Sequence, residues 1–317
     1  LLATLAGLAA AVWAFGSAGF ANVLGATARI GPDGFAIFCL YSLVGFVPLG
    51  AAWLAATPGE PGSRVWLFSW ARILREAVAD LLPFSQIGGI VIGTRSLMQA
   101  GIAPTRVYAS LVVDMTTEMA AQLVFTVFGL ALMASILTGN DAAALRPLIL
   151  GGTATMIAVM AAFFLAQRPA LAFAERIAGH LLPGTMSGLL DALRATYAAR
   201  GRVIAAFAFN LLGWVASAFG AWLVLHLMGA RISVWSVLSL ESLIFTLRSV
   251  IFFIPAAIGI QETTYALAAP LFGLPVEMAL ALSLVKRARE LVIGLPTLLV
   301  WQAKEARAML VARARLG

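Results

Sequence analysis

Two stretches of this sequence concentrate ionisable side chains in otherwise apolar surroundings. The first, 65–102, carries Arg72, Arg75, Glu76 and Asp80, then Leu82-Pro83-Phe84-Ser85-Gln86-Ile87-Gly88-Gly89 and Arg95. The second, 233–273, carries Glu241 and Arg248, then Ile254-Pro255-Ala256-Ala257-Ile258-Gly259-Ile260-Gln261-Glu262. Asp114 and Glu118 stand four residues apart in a later apolar run, as do Lys286 and Glu290, with Arg289 on the same side and Arg287 displaced. Helical spacing sets Arg72, Arg75, Glu76 and Asp80 along one face. A charge inside a membrane segment costs at least ~2.5–3.5 kcal/mol on insertion scales, so each needs a partner or a wet cavity. Guanidinium forks match phosphate and carboxylate geometry, which makes Arg72, Arg75, Arg248, Arg287 and Arg289 candidate ligands for an anionic headgroup, with Gln86 and Gln261 beside them. Glu76, Asp80, Asp114, Glu118, Glu262, Lys286 and Glu290 read as charge pairs or a proton relay. The plainer alternative is a set of ion pairs that satisfy one another. For single residues both readings stay open; for the cluster function is favoured, because apolar packing would hold helices together at lower cost.

Sign reversal suggests specific partners. A shift of 172 residues sets Glu76 on Arg248 and Asp114 on Lys286, so Glu76–Arg248 and Asp114–Lys286 contacts are expected. Backbone amides near Gly88-Gly89 and Ile258-Gly259, where second half-helices would begin, offer further anion sites.

An enzyme reading is the weaker one, and metal chemistry is not expected. The chain holds no H-E-x-x-H, G-x-S-x-G or G-x-x-x-x-G-K-[ST] motif, so no catalytic residue and no cofactor is assigned. Asp114 and Glu118 have types suited to acid–base work, but a four-residue spacing is also ordinary on a helix. The single cysteine, Cys39, lies in an apolar run and reads as a small packing residue. His180 and His226 lack a partner at metal-ligand spacing, so no metal is expected.

The elements that must position these groups are membrane helices. The sequence is 62% hydrophobic and 11% charged, against roughly 25% charged in soluble domains. Its apolar runs reach the ~20 residues a helix needs to cross the hydrocarbon layer, and the alternating segments of a strand barrel are absent. The expected fold is all-α and polytopic, a single transmembrane domain over 1–317. Full spans are placed at about 2–25, 34–56, 104–135, 146–167, 204–228 and 275–302. The stretches 65–102 and 233–273 break at Pro83, Gly88, Gly89, Pro255 and Gly259, because proline removes a backbone donor and clashes with the preceding turn. Broken backbone at membrane depth needs cover from protein or a water-filled cavity, so both read as re-entrant helical hairpins.

Charge orients this scheme. With both hairpins returning to the side they enter, Arg64, Arg106, Arg168, Arg176, Arg194, Arg200, Arg202, Lys304, Arg307, Arg313 and Arg315 share one side. Only Arg29, Arg146 and Arg231 fall opposite. The positive-inside rule then predicts N-in and C-in in a bacterial inner membrane. It also explains the net charge of +7 without nucleic acid, for which no soluble basic face exists. Trp53, Trp66, Trp70, Trp235 and Trp301 fall near span ends as interfacial anchors. The stretch 168–202, hinged at Pro183-Gly184, reads as a cytoplasmic amphipathic connector lying on the membrane surface.

The same shift of 172 aligns span, charged helix, proline break, short helix and span in two copies, 34–135 and 206–302. Pro83 falls on Pro255, Gly101 on Gly273 and Glu118 on Glu290. An odd number of crossings separates the copies, which predicts an inverted repeat of the kind that places transporter sites at the midplane.

The run Ile254 to Glu262, followed by Gly273 and Lys286–Glu290, resembles the signature late in the transmembrane domain of lysylphosphatidylglycerol synthase/flippase proteins. Leu82-Pro83 to Gly89, Arg95, Gly101 and the Asp114–Glu118 pair look like its earlier counterpart. The resemblance covers roughly 5–305 and is nearest to stand-alone members associated with hopanoid biosynthesis. One departure is that Pro255-Ala256-Ala257 stands where family members often carry Pro-Gly-Gly. The resemblance implies lipid translocation, with membrane lipids and proteins of lipid biosynthesis or export as partners and an oligomer not excluded. No soluble aminoacyl-transferase domain accompanies the spans, so lysyl transfer is not expected of this chain alone.

The resulting expectation is a flippase that moves an amphipathic lipid, a hopanoid, an aminoacylated phospholipid or a related polar lipid, between leaflets. The alternatives are a membrane-embedded lipid-modifying enzyme or accessory subunit, and a transporter of small solutes.

Overall fold

The computed structural model describes residues 12–81, 86–136, scattered positions from 147 to 165, 185–250 and 259–314. Its regular elements are helices: α1 (12–18), α2 (Phe20–Ala28), α3 (Gly31–Ala55), α4 (Val65–Leu81), α5 (Gln86–Gln99) and α6 (Pro104–Ile136). Beyond the connector come α7 (Thr185–Ala198), α8 (Arg200–Leu227), α9 (Val234–Val250), α10 (Ile260–Ala268) and α11 (Val276–Ala314). No strand occurs among the described residues. The chain is therefore an all-α polytopic membrane protein. Helices are the form expected of a backbone that must satisfy its own polar groups in lipid.

The spans start where the sequence allows it. Proline stands in the first turn of α3 and opens α6, positions where its missing N–H has no intrahelical partner to lose. Asp33 sits in the first turn of α3, where the helix dipole favours an acid. Helices α3, α6 and α8 are each long and apolar enough to cross a membrane.

Several boundaries differ from expectation. The span placed at 2–25 is interrupted, because Gly19 adopts φ 79° between α1 and α2. That left-handed conformation is open to glycine, which lacks a Cβ. The last span does not stop at 302. It runs on to Ala314 as a 39-residue helix, ~58 Å at 1.5 Å per residue, so its end projects beyond a ~30 Å hydrocarbon core. Most of the 146–167 span lies outside the described residues, as do residues 168–184 of the connector with the Pro183-Gly184 hinge.

Both charged stretches contain two helices, α4 with α5 and α9 with α10. Pro83 and Pro255 lie outside the described residues. Gly259 does mark a turn, with φ 85° immediately before α10. Gly88 and Gly89 are not breaks; both lie inside α5. Gly89 is there because α4 comes too close for a side chain, and a Cβ on it would stand 2.4 Å from the Arg75 carbonyl oxygen. One turn later, a Cβ on Gly93 would stand 3.1 Å from the Ala71 carbonyl oxygen and 3.3 Å from the Arg75 Cβ. Gly89 and Gly93 form a small-xxx-small face, the usual device for bringing membrane helices into close contact.

Helix packing gathers the ends into two sets. At one end Arg202 of α8 donates to the carbonyls of Leu54 (2.8 Å), Ala55 (2.9 Å) and Thr57 (3.0 Å). It thereby satisfies carbonyls that the end of α3 leaves without intrahelical donors. Arg106 bonds Glu60 at the same end (3.0 Å), and Arg95 of α5 bonds Glu305 of α11 (2.8 Å). At the other end Arg29 reaches Met278 and Gly34 lies against Leu227.

Between the ends, α3 and α8 pack along each other through Gly213 against Leu49 and Gly220 against Tyr41. Helix α4 lies against α11, with Gly294 facing Leu81 and Ala77. Helix α9 lies against α6, with Gly129 facing Ser242. One buried cluster joins Trp53, Phe68, Leu97 and Val107, while a larger one joins α8 to α11 around Val224, Leu240, Tyr265 and Leu282. Trp53 is thus a core residue rather than an interfacial anchor, its indole N–H donating to Ser110 at 3.1 Å. Trp66 and Trp235, exposed at the starts of α4 and α9, keep the anchor positions.

Candidate functional site

The ionisable residues form two centres and a junction. In the first centre Arg72 of α4 is buried and donates to Asp114 (3.0 Å) and to Glu118, while its Nε lies 3.2 Å from Glu76. Arg75, one turn on, faces Glu118 at 3.0 Å and Asp114 at 3.5 Å. The i, i+3 spacing on α4 and the i, i+4 spacing on α6 let two guanidinium forks meet two carboxylates. Asn210 of α8 completes the arrangement, its amide 3.4 Å from an Asp114 oxygen and 3.1 Å from the Thr117 hydroxyl. Removing one member of such a buried set costs about 3–5 kcal/mol, because the other is left charged and alone.

The second centre lies on α9, α10 and α11. Glu241 and Tyr265 are buried, and the Tyr265 hydroxyl donates to the Glu241 carboxylate. Lys286 donates to Glu241 at 2.8 Å and to the Tyr265 oxygen at 3.2 Å. The rings of Phe245 and Tyr265 flank its ammonium at about 6 Å.

Beside it, Glu262 accepts from the Gly259 backbone N–H (2.9 Å) and the Ser283 hydroxyl (2.9 Å), with Arg287 3.7 Å away. The anion site expected at the Ile258-Gly259 amides is therefore already occupied, at Gly259, by a carboxylate of the chain. Ile258 lies outside the described residues. The Gln261 amide donates to Ser283 (2.8 Å), and its oxygen accepts from Arg248 (3.4 Å). The Gln86 side chain is outside the described residues.

The junction lies where α4 meets α11. Asp80 is within electrostatic reach of Glu290, Glu76, Arg289 and Arg248. Glu290 in turn contacts Arg287 at 3.5 Å and Arg289 at 3.6 Å, and the Arg289 guanidinium lies over the Phe38 ring at 5.9 Å. This group stays partly open: the side chains of Arg287 and Arg289 are 25% and 21% exposed, and Glu76, which pairs with Arg72, is 31% exposed. No group of three or more His, Cys, Asp or Glu among the described residues is placed to hold a metal ion.

Two expected contacts are replaced. Glu76 pairs with Arg72 rather than Arg248, whose bond goes to Gln261. Asp114 pairs with Arg72 and Arg75, and Lys286 with Glu241, rather than with each other. The cause is local: each charge meets an opposite one within its own half before it reaches the other. Arg72 and Arg75 accordingly turn their guanidinium groups to Asp114 and Glu118. The sequence pattern shows Glu241 without indicating its partner, and it does not single out Tyr265 or Ser283. Asn210 does carry a signal, as the single carboxamide within the apolar run 203–228.

Fold and site together define a multi-pass helical membrane protein with ionisable centres inside its helix bundle. The family described as "Lysylphosphatidylglycerol synthase TM region" matches residues 1–297 of the 317, and the chain belongs to that family. It is a family of membrane domains linked to lipid synthesis or flipping. No match was found among curated proteins or among solved structures.

Proposed function

We propose that this protein moves an amphipathic lipid between the leaflets of a bacterial inner membrane, its headgroup passing along the junction of α4 and α11. The observation that carries this reading is the junction of α4 with α11, where Glu290 contacts Arg287 and Arg289 and Asp80 lies within electrostatic reach of Glu290, Arg289 and Arg248. The bonds of the first centre are made among its own buried side chains, whereas Arg287 and Arg289 at the junction are a fifth to a quarter exposed. A headgroup with anionic oxygens, on a hopanoid, an aminoacylated phospholipid or a related polar lipid, would find guanidinium donors there. The two halves, 34–135 and 206–302, act as an inverted repeat. The pairing of α4 with α11 and of α9 with α6 supports this, since each hairpin's first helix lies against the other half's closing helix. With N-in and C-in, the Arg202, Arg106 and Arg95 contacts face the cytoplasm, as the positive-inside rule asks.

The test is leaflet movement of fluorescent phosphatidylglycerol, an aminoacylated phosphatidylglycerol and a polar hopanoid in proteoliposomes. Wild type is compared with Arg248→Ala and Arg289→Ala. Protein-dependent movement that both variants lose supports a headgroup path through the junction. No movement of any of these lipids by folded wild-type protein overturns autonomous flipping and leaves the lipid-modifying or accessory reading.

A further inference from the structure

The two buried centres differ in one chemical respect. The first sets two carboxylates, Asp114 and Glu118, against the guanidinium groups of Arg72 and Arg75, so α4 keeps an ionic tie to α6 when either carboxylate takes up a proton. The second has a single carboxylate, Glu241, which takes the hydrogen bonds of both Lys286 and Tyr265. It also joins three elements at one point: Glu241 belongs to α9, Tyr265 to α10 and Lys286 to α11. We infer that the Glu241–Tyr265–Lys286 triad is a proton-binding site that couples lipid movement to the proton gradient. This inference rests on the transport reading above.

The step is a simple addition. A proton from the aqueous phase adds to the Glu241 carboxylate, and the triad changes from net zero to net +1. The Lys286 ammonium then loses its anionic acceptor, and the Lys286–Glu241 tie between α9 and α11 is released. Release of the proton restores it. In the first centre one added proton leaves the other carboxylate on Arg72 and Arg75, so α4 stays tied to α6 while α9 loses its ionic tie to α11.

The surrounding charges leave the triad as the exchangeable group. On α9 itself Arg248 is held by Gln261. On α10 and α11 Glu262 already has Gly259, Ser283 and Arg287, and Glu290 has Arg287 and Arg289. On α6 Asp114 and Glu118 are committed to Arg72 and Arg75, and on α8 His226 stacks on Trp222 at 5.1 Å, nearer the far end. On α4, Asp80 and Glu76 belong to the junction with Arg289 and Glu290 and to the Arg72 pair. Intramembrane carboxylates serve as proton sites in pumps and transporters.

The test uses full-length protein in vesicles of phosphatidylethanolamine and phosphatidylglycerol. Infrared difference spectra recorded on acidification should show a protonated-carboxyl band in wild type that Glu241→Gln lacks. In the same vesicles an imposed pH gradient should bias fluorescent-lipid movement, up to about tenfold per pH unit for one coupled proton. Glu241→Gln should retain movement at symmetric pH and lose the bias. Should Glu241→Gln fold poorly with Lys286 unpaired, the double variant Glu241→Gln/Lys286→Met, which removes both charges, should show the same loss of band and bias. A band or a bias unchanged in the folded variant overturns the assignment. If wild type moves no lipid, the transport reading fails on its own, and the presence or absence of the Glu241 band still decides whether the triad binds a proton.

Discussion

Asp114 and Lys286 stand at the same depth of their helices, each ten residues past the first residue of α6 or α11, and carry opposite charges. Their partners are opposite too: Asp114 takes two guanidinium groups from α4, whereas Lys286 takes a carboxylate from α9. Helices α4 and α9 are the first helices of the two hairpins, and the bonded residues Arg72 and Glu241 each lie seven residues past the helix start. The two ties therefore share one spacing with the signs exchanged. One joins α4 to α6 and the other α9 to α11, and Arg287 and Arg289 at the junction keep their partial exposure.

The first centre is the more demanding of the two, since five charges share it. Asp114→Asn keeps the shape and removes one negative charge from between two guanidinium groups. We expect a loss of about 3–5 kcal/mol, read as a lower unfolding temperature in detergent. Arg72→Met combined with Asp114→Asn should recover part of this, because the pair leaves together. A double variant as unstable as the sum of its singles would show that the two residues act independently.

Close approach of α4 and α5 gives a second expectation. Gly89→Ala places a methyl group 2.4 Å from a backbone carbonyl, and backbone cannot turn aside as a flexible side chain can. Overpacking of this kind costs typically 1–3 kcal/mol, about what is expected here. Gly45→Ala in α3 meets nothing within 4 Å and should be close to neutral. Thermal unfolding of the two variants side by side checks both halves of the claim.

Much of the class was readable from composition because a bilayer imposes one rule, that apolar helices span it. The ends of α3, α6 and α8 follow apolar runs and so fell within a few residues of expectation. Pairing was less legible. Opposite signs at positions 114 and 286 suggested a bond across the repeat, but nothing in the sequence says that Arg72 and Arg75 reach Asp114 first. Gly88-Gly89 read as a break because glycine serves turns and close contacts alike, and only the neighbouring α4 decides between them. Asn210 and Tyr265 were hidden for another reason: one amide or one phenol in an apolar run acquires meaning only from what it faces.

Arg202 provides a third test. Its guanidinium serves the Leu54, Ala55 and Thr57 carbonyls, with no anion involved. Arg202→Ala strips three carbonyls of a charged donor, worth about 1.5–3 kcal/mol for such a bond. Lysine offers no planar fork, so Arg202→Lys should restore less than half of the loss. Proteolysis within 55–62 should rise in step with the loss of stability.

The last expectation concerns pH at the projecting end of α11. Glu305 accepts from Arg95 at 2.8 Å and 3.0 Å and also from Gln99, which joins the end of α5 to α11 beyond the proposed span. The Arg95 hydrogen bond, aided by Gln99, holds the Glu305 carboxyl below its usual range despite the opposing effect of burial. A depressed folded-state value means that the tie is fully present above the ordinary glutamate pKa of about 4.3. It is lost only as pH falls through the lower folded value, when the proton removes the acceptor that Arg95 requires. Hydrogen exchange in residues 95–99 should therefore stay slow from about pH 8 down to about pH 5 and quicken only below about pH 4, after correction for intrinsic rates. Glu305→Gln should show the faster exchange at every pH. A rise near neutral pH in wild type would mean that some other group holds these two helices together.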